Sequence, residues 1–137
     1  MYHYMNLVAD TSIILSVLTS EPERSRILLL TQNANLIAPA SVHWEVGNAL
    51  SAMIKRGRLT AVQAKAVLRS YEQIPIRFVD VGLTEAIKVA GEQNMYAYDA
   101  YLVVCARQQR CKLMSLDKAL LRTAESIGVD ILEVPTQ

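Results

Sequence analysis

The sequence predicts an α/β domain built on a mostly parallel β-sheet. Three observations carry that expectation. Short apolar runs of strand length alternate with longer stretches of helical periodicity along all 137 residues. No internal repeat, low-complexity run or Gly/Pro-rich linker breaks the alternation, so residues 1–137 read as a single domain. Apolar residues make up 52% of the chain, well above the disordered range.

Taken in order, residues 7–9 form a buried strand that delivers Asp10 to the rim of the sheet, and residues 13–18 a short helix. Ser20-Glu-Pro-Glu23 reads as a helix start running to about Thr31: Ser20 can cap, Pro22 suits the first turn, and two Glu favour the positive end of the dipole. Residues 36–38, before Pro39, are a second strand. A long helix follows from about Ser41 to Arg56, with Val42, Val46, Ala49, Leu50 and Met53 as its apolar stripe and Gly57 as its stop. Thr60 caps the next helix, whose buried side is Ala64, Val67, Leu68 and Tyr71, and Pro75 ends it. Residues 76–79 are a strand, and Thr84 caps a helix to Gln93. Asp99 opens a helix through Arg107 that is apolar nearly all round and therefore buried. Residues 112–115 are a strand, Asp117 begins a helix to about Ile127 that Gly128 closes, and residues 129–132 are the last strand.

The net charge is +1, from 14 basic and 13 acidic residues. That excludes a strongly cationic nucleic-acid coat but leaves room for a local basic patch. Cys105 and Cys111 fit no zinc spacing, and Cys105 lies inside an apolar helical run, as a buried free thiol does. The longest apolar stretches, such as Leu102-Val-Val-Cys-Ala106, are far too short to span a bilayer. The opening Met1-Tyr-His-Tyr-Met5 lacks the charged region and apolar core of a signal peptide, which points to a reducing cytoplasm. Met5 is a possible alternative start, and His3 carries no expected role.

Four acids stand out: Asp10, Glu45, Asp99 and Asp117. Singly, each has an ordinary explanation. Asp10 and Asp117 suit a helix cap or a turn, Asp99 a cap, and Glu45 a surface ion pair. Glu45 is mid-helix beside the apolar stripe, where a cap cannot explain it, and Asn48 lies one turn on, able to hydrogen-bond to Glu45 or to a substrate. Asp99 is a charge at the mouth of a buried helix. In parallel sheets, sites gather beyond the carboxyl ends of the strands, where Asp10 and Asp117 fall. Clustered carboxylates repel unless a cation neutralises them. An all-oxygen set suits a hard divalent ion, and no His/Cys set offers a zinc site.

The ordered pieces Leu7-Val-Ala-Asp-Thr-Ser12, Trp44-Glu-Val-Gly-Asn-Ala-Leu50, Tyr98-Asp-Ala-Tyr-Leu102 and Ser115-Leu-Asp-Lys-Ala-Leu120 resemble the PIN-domain nucleases, and more closely the VapC-like toxins of prokaryotic toxin–antitoxin pairs. The resemblance covers nearly the whole chain. It implies a three-layer α/β/α sandwich around the sheet and an acidic quartet, Asp10, Glu45, Asp99 and Asp117, that is both catalytic and the ligand set for Mg²⁺ or Mn²⁺. Ser12 and Ser115 fall where the family keeps a hydroxyl near the site, Ser115 standing where Thr is more usual. The family cleaves RNA, commonly as a homodimer, and is held inactive by a cognate antitoxin.

On that footing the expected activity is metal-dependent hydrolysis of RNA, in which the ion supplies a nucleophilic water and offsets phosphoryl charge. No single general base is assigned. Lys55, Arg56 and Arg58, at the end of the Glu45 helix, either hold RNA phosphates or simply suit a helix C-terminus. Lys118 is a further phosphate candidate. Trp44, opposite the apolar stripe, either meets an antitoxin, a second subunit or a base, or is an ordinary exposed aromatic. A haloacid-dehalogenase-like phosphatase needs a second Asp two residues after the first, where this chain has Ser12. A receiver domain needs paired early acids that are absent. A PIN-like processing nuclease without an antitoxin and a non-catalytic PIN-like binding module are the remaining alternatives.

Overall fold

The computed structural model of the chain describes residues 4–136; His3 lies outside the described residues. Five strands, β1 (Met5–Ala9), β2 (Ala34–Pro39), β3 (Ile76–Val79), β4 (Lys112–Ser115) and β5 (Ile131–Glu133), alternate with seven described helices. These are α1 (Thr11–Leu18), α2 (Arg24–Leu30), α3 (Ala40–Lys55), α4 (Ala61–Glu72), α5 (Leu83–Gln93), α6 (Ala97–Gln109) and α7 (Lys118–Ser126). The strands form one parallel sheet in the order β3-β2-β1-β4-β5. The α/β class with a parallel sheet is therefore the one observed.

Alternation along the central strands sends side chains to two faces. Leu7, Ala9 and Met114 pack with Ile13 of α1 and Ile27 of α2. Val8 and Leu113 face the larger cluster, which holds Ala86 and Val89 of α5, the run Leu102–Ala106 of α6, and Leu120, Leu121 and Ala124 of α7. Val42, Val46 and Leu50 of α3 and Tyr71 of α4 join that cluster. Six residues of α6 are buried, as an all-round apolar helix requires. Both cysteines are free, Cys105 buried. No described helix is long and apolar enough to cross a membrane.

Several element boundaries differ from the sequence expectation. Ser20 does not start α2: its backbone is left-handed at φ 55°, not the extended shape of a cap, and the helix begins at Arg24 with no side-chain cap. Thr84 lies within the first turn of α5, whose cap position is taken by Gly82. Asp99 is the third residue of α6, behind Tyr96 at the cap. Leu68 is 38% exposed because α4 turns only Ala64 and Tyr71 fully inward. The last strand starts at Ile131: Ile127 and Gly128 (φ 87°) form a turn, and residues 129–130 lead from it without regular structure. The Thr60 cap of α4 holds, as a full capping box with Gln63.

Candidate active site

The strand order makes β1 and β4 neighbours, with Ala9 opposite Met114. The chain leaves β1 toward β2 and β3, then returns past it to β4 and β5, so β1/β4 is the switch point of the sheet. Asp10 follows β1 and Asp117 follows β4 by one intervening residue, Leu116, so both stand at the carboxyl edge of this crevice.

Asp10 is only 6% exposed and is held on three sides. Its Oδ1 accepts from Ser12 Oγ–H at 2.6 Å and from Ile13 N–H at 3.1 Å, which makes it the N-cap of α1. Its Oδ2 accepts from Ser115 Oγ–H across the strand pair. Ser115 Oγ in turn accepts from Asp117 N–H at 2.9 Å, and Ser12 Oγ accepts from Leu116 N–H at 3.1 Å. Two serines thus stitch the turn after β1 to the turn after β4. Asp117 caps α7, its Oδ1 accepting from Leu120 N–H at 3.1 Å.

Glu45 arrives from the second turn of α3, which lies against α1 and β2. Its Oε2 is buried and, among the described residues, has no hydrogen-bond partner. Burial, then the charges of Asp10 and Asp99, push its carboxyl up to about 7. Asp99 comes from the first turn of α6, the helix that packs across β1, β2 and β4. Its carboxyl is also raised, by burial and then by Asp117. Asp10 is raised by burial above all, against the lowering pull of the Ser115, Ser12 and Ile13 donors, with the Asp117 charge a smaller raising effect. The carboxyls of Asp10, Glu45 and Asp99 therefore each feel at least one other acid, and no described lysine or arginine forms an ion pair with any of the four.

Such an arrangement attracts a cation. The donors are all oxygen, the set a hard divalent ion prefers, and Glu45 Oε2 is a buried acceptor lacking a donor. As they stand, no three described His, Cys, Asp or Glu side chains converge closely enough to cage one ion. The two findings are compatible. Carboxylates perturb one another over several ångströms, whereas ligation needs about 2.0–2.6 Å, and Mg²⁺ takes one or two carboxylates and keeps several waters.

Other sequence candidates separate by position. Ser12 and Ser115 join the acids through the bonds above. Lys118 is exposed and next to Asp117. Asn48 is exposed and makes no side-chain hydrogen bond to Glu45, so that expected pairing is absent. Lys55, Arg56 and Arg58 are exposed at the far end of α3; Lys55 lies ten residues beyond Glu45, about 15 Å along the helix axis. Trp44 is 71% exposed, as the helical spacing predicts, with the His43 ring edge-on at 4.9 Å. Arg26 was not singled out by the sequence, yet it lines a cavity with Ser115 and Lys118. Nothing local to α2 signals this; only the fold brings the two regions together.

The sequence matches the family model of the PIN domain over residues 7–126. The chain belongs to the PIN-domain family. That family is one of nucleases, and the five-stranded parallel sheet with its flanking helices is its fold. Three similar solved structures agree. A protein of Pyrobaculum aerophilum, PAE2754, is 21% identical with a TM-score of 0.68, over 95% of this chain and 84% of that one. VapBC2 from Rickettsia felis, bound to a DNA fragment from their promoter, gives 14% identity and a TM-score of 0.67 over 96% and 100%. FitAB bound to a DNA fragment gives 15% and 0.69 over 93% and 94%. No curated protein sequence matches this PIN domain significantly.

Proposed function

We propose that this PIN domain is a divalent-metal-dependent endoribonuclease and the toxin of a toxin–antitoxin pair. The observation that carries the reading is Glu45 Oε2, buried and without a hydrogen-bond partner among the described residues, on a carboxyl that burial and then the charges of Asp10 and Asp99 raise. Asp10, Glu45, Asp99 and Asp117 would hold Mg²⁺ or Mn²⁺, which would supply a nucleophilic water at neutral pH and offset charge on the phosphoryl oxygens. Asp10 is fixed by Ser12, Ser115 and Ile13 and so presents its carboxylate in one orientation. Glu45 and Asp99 are less constrained. Without an ion the Glu45 carboxyl is raised to about 7, so it gives up a proton when a cation binds. Cleavage leaves a 5′-phosphate and a 3′-hydroxyl.

The toxin part rests on the ordered motifs and on the likeness of the fold to the VapBC2 and FitAB structures. A cognate antitoxin is the partner this implies, together with a homodimer acting in the cytoplasm. The deciding experiment is cleavage of a mixed RNA panel with Mg²⁺ or Mn²⁺, with and without EDTA, beside Asp10→Asn and Asp99→Asn proteins. Wild type should cut, EDTA should stop it, and each amide variant should lose at least about 100-fold, more than the loss typical of a group that only supports a metal ligand. A fully active Asp99→Asn protein would sink the reading.

A further inference from the structure

We propose that a cavity beside the acids, between α2 and the start of α7, holds a backbone phosphate of the RNA strand through Arg26 and Lys118. The assignment rests on the ribonuclease reading and gives its substrate a second anchor. The cavity measures about 140 Å³, room for a phosphate group but not for a whole nucleotide. None of the four acids lines it, but Ser115, whose hydroxyl donates to Asp10, and Lys118, next to Asp117 in the chain, do. A strand whose scissile phosphate meets the acids carries a neighbouring phosphate past this opening.

Arg26 reaches the cavity from α2, and its Nε is buried with no hydrogen-bond acceptor among the described residues. A buried guanidinium N–H that has lost water and gained no acceptor is unfavourable, and a phosphate oxygen supplies the missing acceptor in the geometry arginine matches best. Neither Arg26 nor Lys118 enters an ion pair among the described residues. Two carboxylates share the wall. Glu133 is already tied to Arg122 at 2.6 Å, and Glu23 accepts from Ser16 Oγ–H at 3.5 Å. Two free cations thus face one carboxylate not offset by another cation.

Two measurements test the assignment. Inorganic phosphate titrated into the wild-type protein, against chloride at matched ionic strength, should shift the Arg26 Nε–H resonance in a side-chain NMR spectrum. Binding of a short mixed-sequence oligoribonucleotide should be followed by anisotropy across a salt series, in an Asp99→Asn background that leaves the RNA uncut. Adding Arg26→Gln or Lys118→Gln should weaken binding several-fold and flatten the log–log salt slope by about 0.7 each, with Arg26→Lys keeping most of the slope. Absence of the phosphate shift, or unchanged slopes in both variants, overturns the cavity assignment. If wild type cuts RNA while the slopes are unchanged, only the cavity falls. If the shift and the slope changes appear but wild type cuts no RNA, the cavity stands and the ribonuclease reading falls.

Discussion

Burial and two neighbouring charges lift the Glu45 carboxyl from 4.5 to about 7, and that shift links folding to pH. The folded state binds the proton more tightly than the unfolded chain does. Its stabilising effect is therefore complete below about 4.5 and is lost as pH rises through about 7. Metal-free protein should melt at a higher temperature at pH 5 than at pH 8, and Glu45→Gln should reduce that difference; a flat profile in the wild type would contradict the shift. Asp10 and Asp99 are raised as well, by burial above all, and act in the same direction. Ser115 offers a second test. Its hydroxyl donates to Asp10 and accepts from Asp117 N–H, so Ser115→Ala removes two bonds at once. The expected loss is about 1.5–3 kcal/mol in denaturant melts, with a roughly tenfold weaker metal affinity by calorimetry. Ser115→Thr, which keeps the hydroxyl, should lose far less. Glu45 stands out in the sequence as an acid beside the apolar stripe in mid-helix, whereas Asp10 and Asp117 fit ordinary caps and stand out only within the ordered set of motifs. Arg26 does not stand out, because a cation on a short helix breaks no local pattern.

Helix starts show where local signals suffice. Thr60 and Gln63 satisfy each other's backbone N–H groups within four residues, and the sequence alone identifies that capping box. Thr60→Ala should lower stability by about 1 kcal/mol in denaturant melts and leave RNA cleavage unchanged, since α4 places none of the four acids. Ser20 and Thr84 carry equally good capping side chains but do not cap. A cap needs extended backbone at its own position, and that is decided by how the helix must meet the sheet. For α5, the inward placement of Ala86 and Val89 sets the start at Leu83, which leaves Thr84 inside the first turn. Asp99 moves the same way: α6 begins two residues earlier than the polar residue suggests. The consequence is favourable to the site, because a carboxylate that is not spent on its own helix cap is available to a ligand.

At the scale of the whole molecule, the period-2 and period-3.6 patterns made the α/β class legible, whereas the strand order was not. Which parallel strands become neighbours depends on how helices cover the two faces, and no local residue records it. That order is what sets Asp10 beside Asp117. Burial and like charge raise the carboxyls of Asp10, Glu45 and Asp99, and a divalent ion bound among them would relieve that repulsion. Addition of Mn²⁺ or Mg²⁺ at about 100 times its dissociation constant should stabilise the fold by about 2.7 kcal/mol, read as a rise in melting temperature that EDTA reverses. In an Asp10→Asn/Glu45→Gln protein the rise should largely disappear.

The central position of β1 has a bearing on how the protein is made. During synthesis β1 can be flanked on one side once β2 has emerged, but its other neighbour, β4, spans Lys112–Ser115, and Asp117 follows it. A nascent chain therefore carries Asp10 and Glu45 long before the remaining acids exist to meet them. A PIN-domain nuclease so ordered cannot bring Asp10 and Asp117 together until β4 and the turn after it have emerged.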